Sequence, residues 1–152
     1  TQMISEMLKL ENIQIIESAK DWKEAIHLSL EPLVNGGYVT ENYEAAIIKC
    51  TEEYGPYYVL ADDIALIHGR PEDGVLEKQL SITVVRQPIQ FMNDGQNVRV
   101  LIALGASDAN SHIDVMKVLS LLLMDESKIK ELAEATSEQQ IYEMLTKAES
   151  NL

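Results

Sequence analysis

The sequence predicts an α/β fold in a single layered domain: a mixed β-sheet of about five strands flanked by helices, with a helical C-terminal third. Three observations point to it. Helical apolar periodicity fills the stretch before Gly55, short β-favouring runs separated by Asp, Gly and Pro follow from Tyr57, and helical periodicity returns after Gly105. At 152 residues, 46% hydrophobic and 24% charged, the chain is sized for one domain over 1–152. Such a chain buries roughly two-thirds of its unfolded surface, so stability demands no disulfide or metal staple.

Ile13–Ile16 is the weakest strand candidate. Asp21-Trp22-Lys23-Glu24 reads as a capping box, and Trp22, Ala25, Ile26, Leu30, Leu33 and Val34 recur at helical spacing until Asn35-Gly36-Gly37 stops them. Thr40 is placed to cap a second helix, whose stripe of Tyr43, Ala46, Ile47, Cys50 and Tyr54 ends at Gly55-Pro56. On that stripe Cys50 is expected to be inert packing. Tyr57–Leu60, Ile64–Ile67, Leu80–Val85 and Val98–Leu104 read as strands. The last is apolar except for Arg99, which suits a central strand covered on both faces. Ser111 is expected to cap a helix carrying Val115, Met116, Leu119, Leu122 and Leu123, and Asp125 and Ser137 are expected to cap two more.

Twelve basic against 25 acidic residues give a net charge of −13. A surface so negative repels phosphodiester backbones and anionic lipid, so nucleic acid is excluded as a partner. The apolar runs are too short for insertion into a bilayer. The single cysteine, Cys50, cannot form an intramolecular disulfide, which points to the cytoplasm.

The common catalytic signatures are missing: there is no cysteine cluster, His-Glu-x-x-His, phosphate-binding glycine loop or Gly-x-Ser-x-Gly elbow. Chemistry falls to three histidines, His27, His68 and His112. His27 faces away from the apolar stripe of its helix and reads as a solvated surface residue. His68 closes an apolar β run and opens a Gly69-Arg70-Pro71 turn; His112 follows Ser111 at a helix start, near free amide donors and the positive end of the dipole. Each alone fits a structural role. Together they fit phosphoryl chemistry, in which one neutral imidazole attacks phosphorus and a neighbouring ring donates hydrogen bonds to the phosphoryl oxygens. Gly69 would let backbone amides approach the anion, and Arg70 could clamp it with a planar fork. Strand ends of one sheet commonly converge on a single rim, which would bring the two histidines together. A zinc hydrolase fits poorly, because two histidines lack an evident third ligand.

Three segments resemble the enzyme IIA domains of the bacterial sugar phosphotransferase system, of the mannitol/fructose type: Tyr54-Gly-Pro-Tyr-Tyr-Val-Leu-Ala61, Ala65-Leu-Ile-His-Gly-Arg-Pro-Glu-Asp-Gly-Val75 and Ser107-Asp-Ala-Asn-Ser-His-Ile-Asp114. The His-Gly-Arg-Pro-Glu-Asp-Gly-Val and Asn-Ser-His-Ile-Asp motifs look nearest to the ascorbate-specific branch. The resemblance implies a cytoplasmic phosphocarrier that takes a phosphoryl group from HPr and passes it to a cysteine of enzyme IIB, while a membrane enzyme IIC moves the sugar. It matches His68 to the phosphorylated histidine and His112 to the assisting one, with Gly69, Arg70 and Ser111 about the phosphate. No metal or organic cofactor is implied. Two departures stand out: Ile67 replaces the proline usual before the active histidine, and Lys49-Cys-Thr-Glu-Glu53 lacks the arginine many relatives carry ahead of the glycine turn. They leave open an alternative in which the phosphorylation state of a regulatory module controls a partner. Despite the overall charge, the surface around His68 is expected to be locally neutral or positive, with Ile67 or Val75 exposed beside it as a small interface for transient exchange.

Overall fold

The computed structural model describes residues 3–92 and 96–150. The elements run α1 (Met3–Met7), β1 (Leu8–Ile16), α2 (Trp22–Asn35), α3 (Glu41–Tyr54), β2 (Val59–Ala61), β3 (Asp63–Ile67), β4 (Gln79–Gln90), β5 (Asn97–Gly105), α4 (Ala109–Leu123), α5 (Glu126–Ala133) and α6 (Glu138–Ser150). A 3-10 turn, Pro71–Asp73, lies between β3 and β4. The sheet has five strands in the order β1-β4-β5-β3-β2. β1 and β4 pair parallel, as do β3 and β5; β4 with β5 and β2 with β3 pair antiparallel.

Period-two alternation along the strands divides the core between the two faces of the sheet. Leu66, Val100, Ile102 and Leu104 pack with Leu119, Ile129, Ile141 and Leu145 of α4, α5 and α6. Ala65, Ile67, Leu101 and Ala103 pack on the other face with Ile26, Leu30, Tyr43 and Ile47 of α2 and α3. β5 is therefore the covered central strand its apolar run predicts. Each fully buried Leu or Ile contributes on the order of 1.5–3 kcal/mol, so burial on both faces anchors β3 and β5 in the frame.

Most caps fall where the sequence places them. Asp21 Oδ1 accepts the Glu24 N–H at 2.9 Å, while Glu24 reaches one residue beyond the box to accept Lys20 N–H at 2.9 Å. Asp125 Oδ1 accepts Ser127 N–H at 3.0 Å and Ser137 Oγ accepts Gln140 N–H at 3.2 Å. Thr40 has the extended backbone of a cap but makes no side-chain cap bond; its N–H donates to Gly74 O at 2.9 Å.

Three boundaries differ from expectation. α4 starts at Ala109, so Ser111 lies inside its first turn and is not its cap. β4 continues past Val85 through Pro88, because the β4–β5 register shifts between Val84 and Ile89 and no pairing there needs a proline N–H. Tyr57 and Tyr58 precede β2 in a turn held by Tyr57 N–H to Gly55 O at 2.9 Å and Val59 N–H to Pro56 O at 3.1 Å. No helix among the described residues is long and apolar enough to cross a membrane.

Candidate functional site

β3 and β5 are adjacent and parallel, with Ile67 opposite Ala103, so their C-terminal ends emerge on the same rim. His68 follows β3 directly. β5 ends at Gly105, and after Ala106, Ser107 and Asp108 the first turn of α4 carries His112. The His68 and His112 rings stand 5.1 Å apart between centroids, inclined at 48°.

His68 Nδ1 lies 2.7 Å from Leu66 O. A carbonyl oxygen only accepts, so Nδ1 carries the proton and the lone pair of the neutral ring resides on Nε2. Burial pushes the His68 pKa below its ordinary 6.5; the bond to Leu66 opposes that shift and the neighbouring His112 adds to it. At neutral pH the ring is thus a neutral nucleophile of one defined tautomer. Tyr57 supports it from the side, with rings 5.6 Å apart at 82° and its hydroxyl donating to His68 O at 2.7 Å.

Gly69 behaves differently from expectation. Its N–H donates to Tyr43 Oη at 2.9 Å and so is not free for an anion. The close approach that glycine permits is to α3, since a Cβ at 69 would sit 3.1 Å from Ile47 Cγ1. Arg70 borders the same cavity as His68, about 350 Å³ in volume, but its guanidinium is engaged with Asp73 at 3.3 and 3.4 Å. The side chain of Ser111 lies outside the described residues.

One cation, Arg70, and one carboxylate, Asp73, border this cavity, and an adjoining space of about 600 Å³ sets Lys49 and Arg70 against Glu53 and Asp73. Glu72 also lies 3.8 Å from Arg70, so the two cations face three carboxylates and the surface beside His68 is close to neutral but not positive, on a chain that carries −13 overall. Cys50 lines both spaces and is half-buried, not core packing as its helical phase suggests. Ile67 is fully buried, and Val75 is half-buried in a bridge to Val39, so neither is the expected exposed contact. Tyr54, Tyr57, Leu76 and Ile113 are the exposed apolar residues in the segments around the site. His27 is elsewhere on the surface, its Nδ1 2.8 Å from Glu44 Oε1. Sequence reasoning missed Tyr43 and Tyr57. The signal that could have found Tyr43 is its place on the apolar stripe of α3, since a phenol buried there needs a hydrogen-bond partner for its hydroxyl.

Residues 6–148 match the family model described as "Phosphoenolpyruvate-dependent sugar phosphotransferase system, EIIA 2". The chain is 39% identical over 144 residues to a mannitol-specific cryptic phosphotransferase enzyme IIA component of Escherichia coli strain K12, covering 95% of this chain and 98% of that one. It is 32% identical over 137 residues, 88% of each, to the ascorbate-specific PTS system EIIA component of the same strain. Among solved structures it is similar to the complex of mannitol enzyme IIA with phosphorylated enzyme IIB from Escherichia coli, with a TM-score of 0.78, 33% identity, and coverage of 93% and 99%.

Proposed function

This chain belongs to the EIIA 2 family of the phosphoenolpyruvate-dependent sugar phosphotransferase system, whose members are phosphotransferase components, and from that premise we propose that it carries a phosphoryl group on His68 Nε2, taken from HPr and passed to a cysteine of a cognate enzyme IIB. The observation that carries this reading is the bond from His68 Nδ1–H to Leu66 O, which aims the lone pair at Nε2 beside a second imidazole.

The step balances without a cofactor. The Nε2 lone pair forms an N–P bond as the N–P bond of the donor phosphohistidine breaks, and the donor nitrogen keeps the electron pair. The Nδ1–H bond to Leu66 O then spreads the positive charge that the phosphorylated ring acquires. His112 serves as a hydrogen-bond donor to the phosphoryl oxygens, and the first turn of α4, including Ser111, adds the positive end of its dipole. Arg70 reaches the phosphoryl group by exchanging Asp73 for it; the side chain is 72% exposed, so little packing opposes the exchange. Onward transfer to the thiolate of enzyme IIB reverses the bond changes, and an enzyme IIC in the membrane then uses the group on the sugar.

Sugar choice rests with that membrane component, and the resemblance in the His68 and His112 motifs favours an ascorbate-like substrate. Overall identity favours a mannitol-like one, at 39% against 32%.

The test is a reconstituted relay with radiolabelled phosphoenolpyruvate, enzyme I, HPr and enzyme IIB. Label is expected to pass through this chain to enzyme IIB. Because the neutral ring is the nucleophile and its pKa is lowered from 6.5, uptake should fall off only on the acid side of pH 6.5. A chain that takes no label, or an uptake midpoint above 6.5, contradicts the proposal.

A further inference from the structure

We infer that the Tyr43 hydroxyl is a positioning group for phosphoryl transfer: inserted between the diverging ends of β3 and β5, it sets the spacing of His68 and His112. This deepens the phosphocarrier reading and rests on it.

The insertion follows from the direction of the backbone groups. Leu66 N–H donates to Tyr58 O, on the β2 side of the sheet, at 2.9 Å. Successive amides of a strand point to opposite neighbours, so the N–H of Ile67 and of Gly69 point toward β5. With Ile67 opposite Ala103, the next rung of the parallel ladder would join Gly69 N–H to Leu104 O. That bond is replaced by a two-step bridge through the phenol: Gly69 N–H donates to Tyr43 Oη at 2.9 Å, and Tyr43 Oη donates to Leu104 O at 2.7 Å. Gly69 O also lies 3.5 Å away, but the hydroxyl has one proton and the shorter contact takes it.

Both strand ends lead to the site. Gly69 adjoins His68, and Leu104 is the penultimate residue of β5, which leads through Ala106–Asp108 into the helix bearing His112. One oxygen atom held from α3 therefore spaces the two chain segments on which the imidazoles are mounted. Tyr43 is fully buried, and burial lifts its pKa to about 12, the bond from Gly69 opposing this. The phenol thus stays neutral and keeps both its donor and its acceptor function throughout the working range. A direct rung would draw the strand ends together; the inserted atom leaves them apart and uses the only amide that the glycine after His68 offers.

The test is Tyr43→Phe, which keeps the ring in the core and removes only the bridging atom. Tyr58→Phe is the control, because it too removes a buried hydroxyl, one paired with Thr51 Oγ1 at 2.8 Å away from the rung. Two readouts are made on each folded variant. In the relay, Tyr43→Phe is expected to lower the maximal rate of phosphoryl transfer about 10- to 100-fold with the KM for HPr unchanged, because the docking face is intact and only the reacting geometry is disturbed. In the unphosphorylated protein, followed by nuclear magnetic resonance, the His68 titration midpoint should rise toward 6.5 as the released loop rehydrates the ring. Tyr58→Phe should move neither quantity. Equal effects of the two variants, or a Tyr43→Phe protein with wild-type rate and wild-type midpoint, overturn the inference. The titration requires no phosphoryl donor, so a wild-type chain inert in the relay would defeat the carrier reading while the positioning role is still decided by the His68 midpoint.

Discussion

His68→Ala is expected to bring phosphoryl uptake to background, at least about a thousandfold below wild type, measured as label retained from phosphoenolpyruvate through enzyme I and HPr. The size of the effect follows from the lack of an equivalent nucleophile beside it. His112 is close, but it lacks the Nδ1–H bond to Leu66 that orients His68, and His27 is bound to carboxylates on a different face. The substitution should leave the fold intact. His68 is only half-buried, and the ladder of β3 ends one residue earlier at Ile67, whose burial and pairing with Ala103 do not depend on it. Retention of near-wild-type labelling by a folded His68→Ala protein would move the acceptor to another side chain.

The largest stability effect is expected at Gly74, in the motif that follows His68. Gly74 has φ +143°, and a Cβ there would fall 2.2 Å from Thr40 Oγ1 and 3.1 Å from the backbone nitrogen of Tyr43. Gly74 also closes the 3-10 turn through its N–H to Pro71 O at 3.2 Å and accepts from Thr40 N–H at 2.9 Å. An alanine must therefore displace the start of α3 or reopen the turn. Gly74→Ala should cost about 3 kcal/mol or more, read as a lowered urea midpoint at unchanged slope. Gly37→Ala separates the two causes, because Gly37 also has positive φ, +80°, but nothing lies within 4 Å of its Cβ position. It should cost only the backbone share, about 1 kcal/mol. Equal losses at the two positions would show that the contact with Thr40 carries no weight. Because Tyr43 lies just beyond that contact, Gly74→Ala should also disturb the bridge between the strand ends.

The features legible in the sequence are those governed by local rules. The apolar run Val98–Leu104 marks the central strand because burial on both faces removes any need for polar alternation, and Asp125 and Ser137 mark caps because their oxygens meet amides two or three residues away. The pairing of His68 with His112 was legible as a possibility, since each follows an apolar strand and parallel neighbours end on one rim. What failed depends on distant partners. Cys50 and Tyr54 keep the helical phase of Tyr43, but the end of α3 lies along the His68 cavity, so the stripe becomes a wall of that cavity. The Gly69 amide looked available for an anion until α3 brought Tyr43 Oη to it. The fourth strand reads as ending at Val85, short of its true end at Gln90, because a register shift against β5 leaves no pattern in the residues on either side of Pro88.

The central claim is that Nε2 of His68 receives the phosphoryl group because Leu66 O holds the proton on Nδ1. Its most direct test is nitrogen-resolved nuclear magnetic resonance of the phosphorylated wild-type chain with ¹⁵N-labelled histidine. Phosphorus coupling is expected at Nε2 of His68, with Nδ1 still protonated. Coupling at Nδ1 of His68, or on either other histidine, would contradict it.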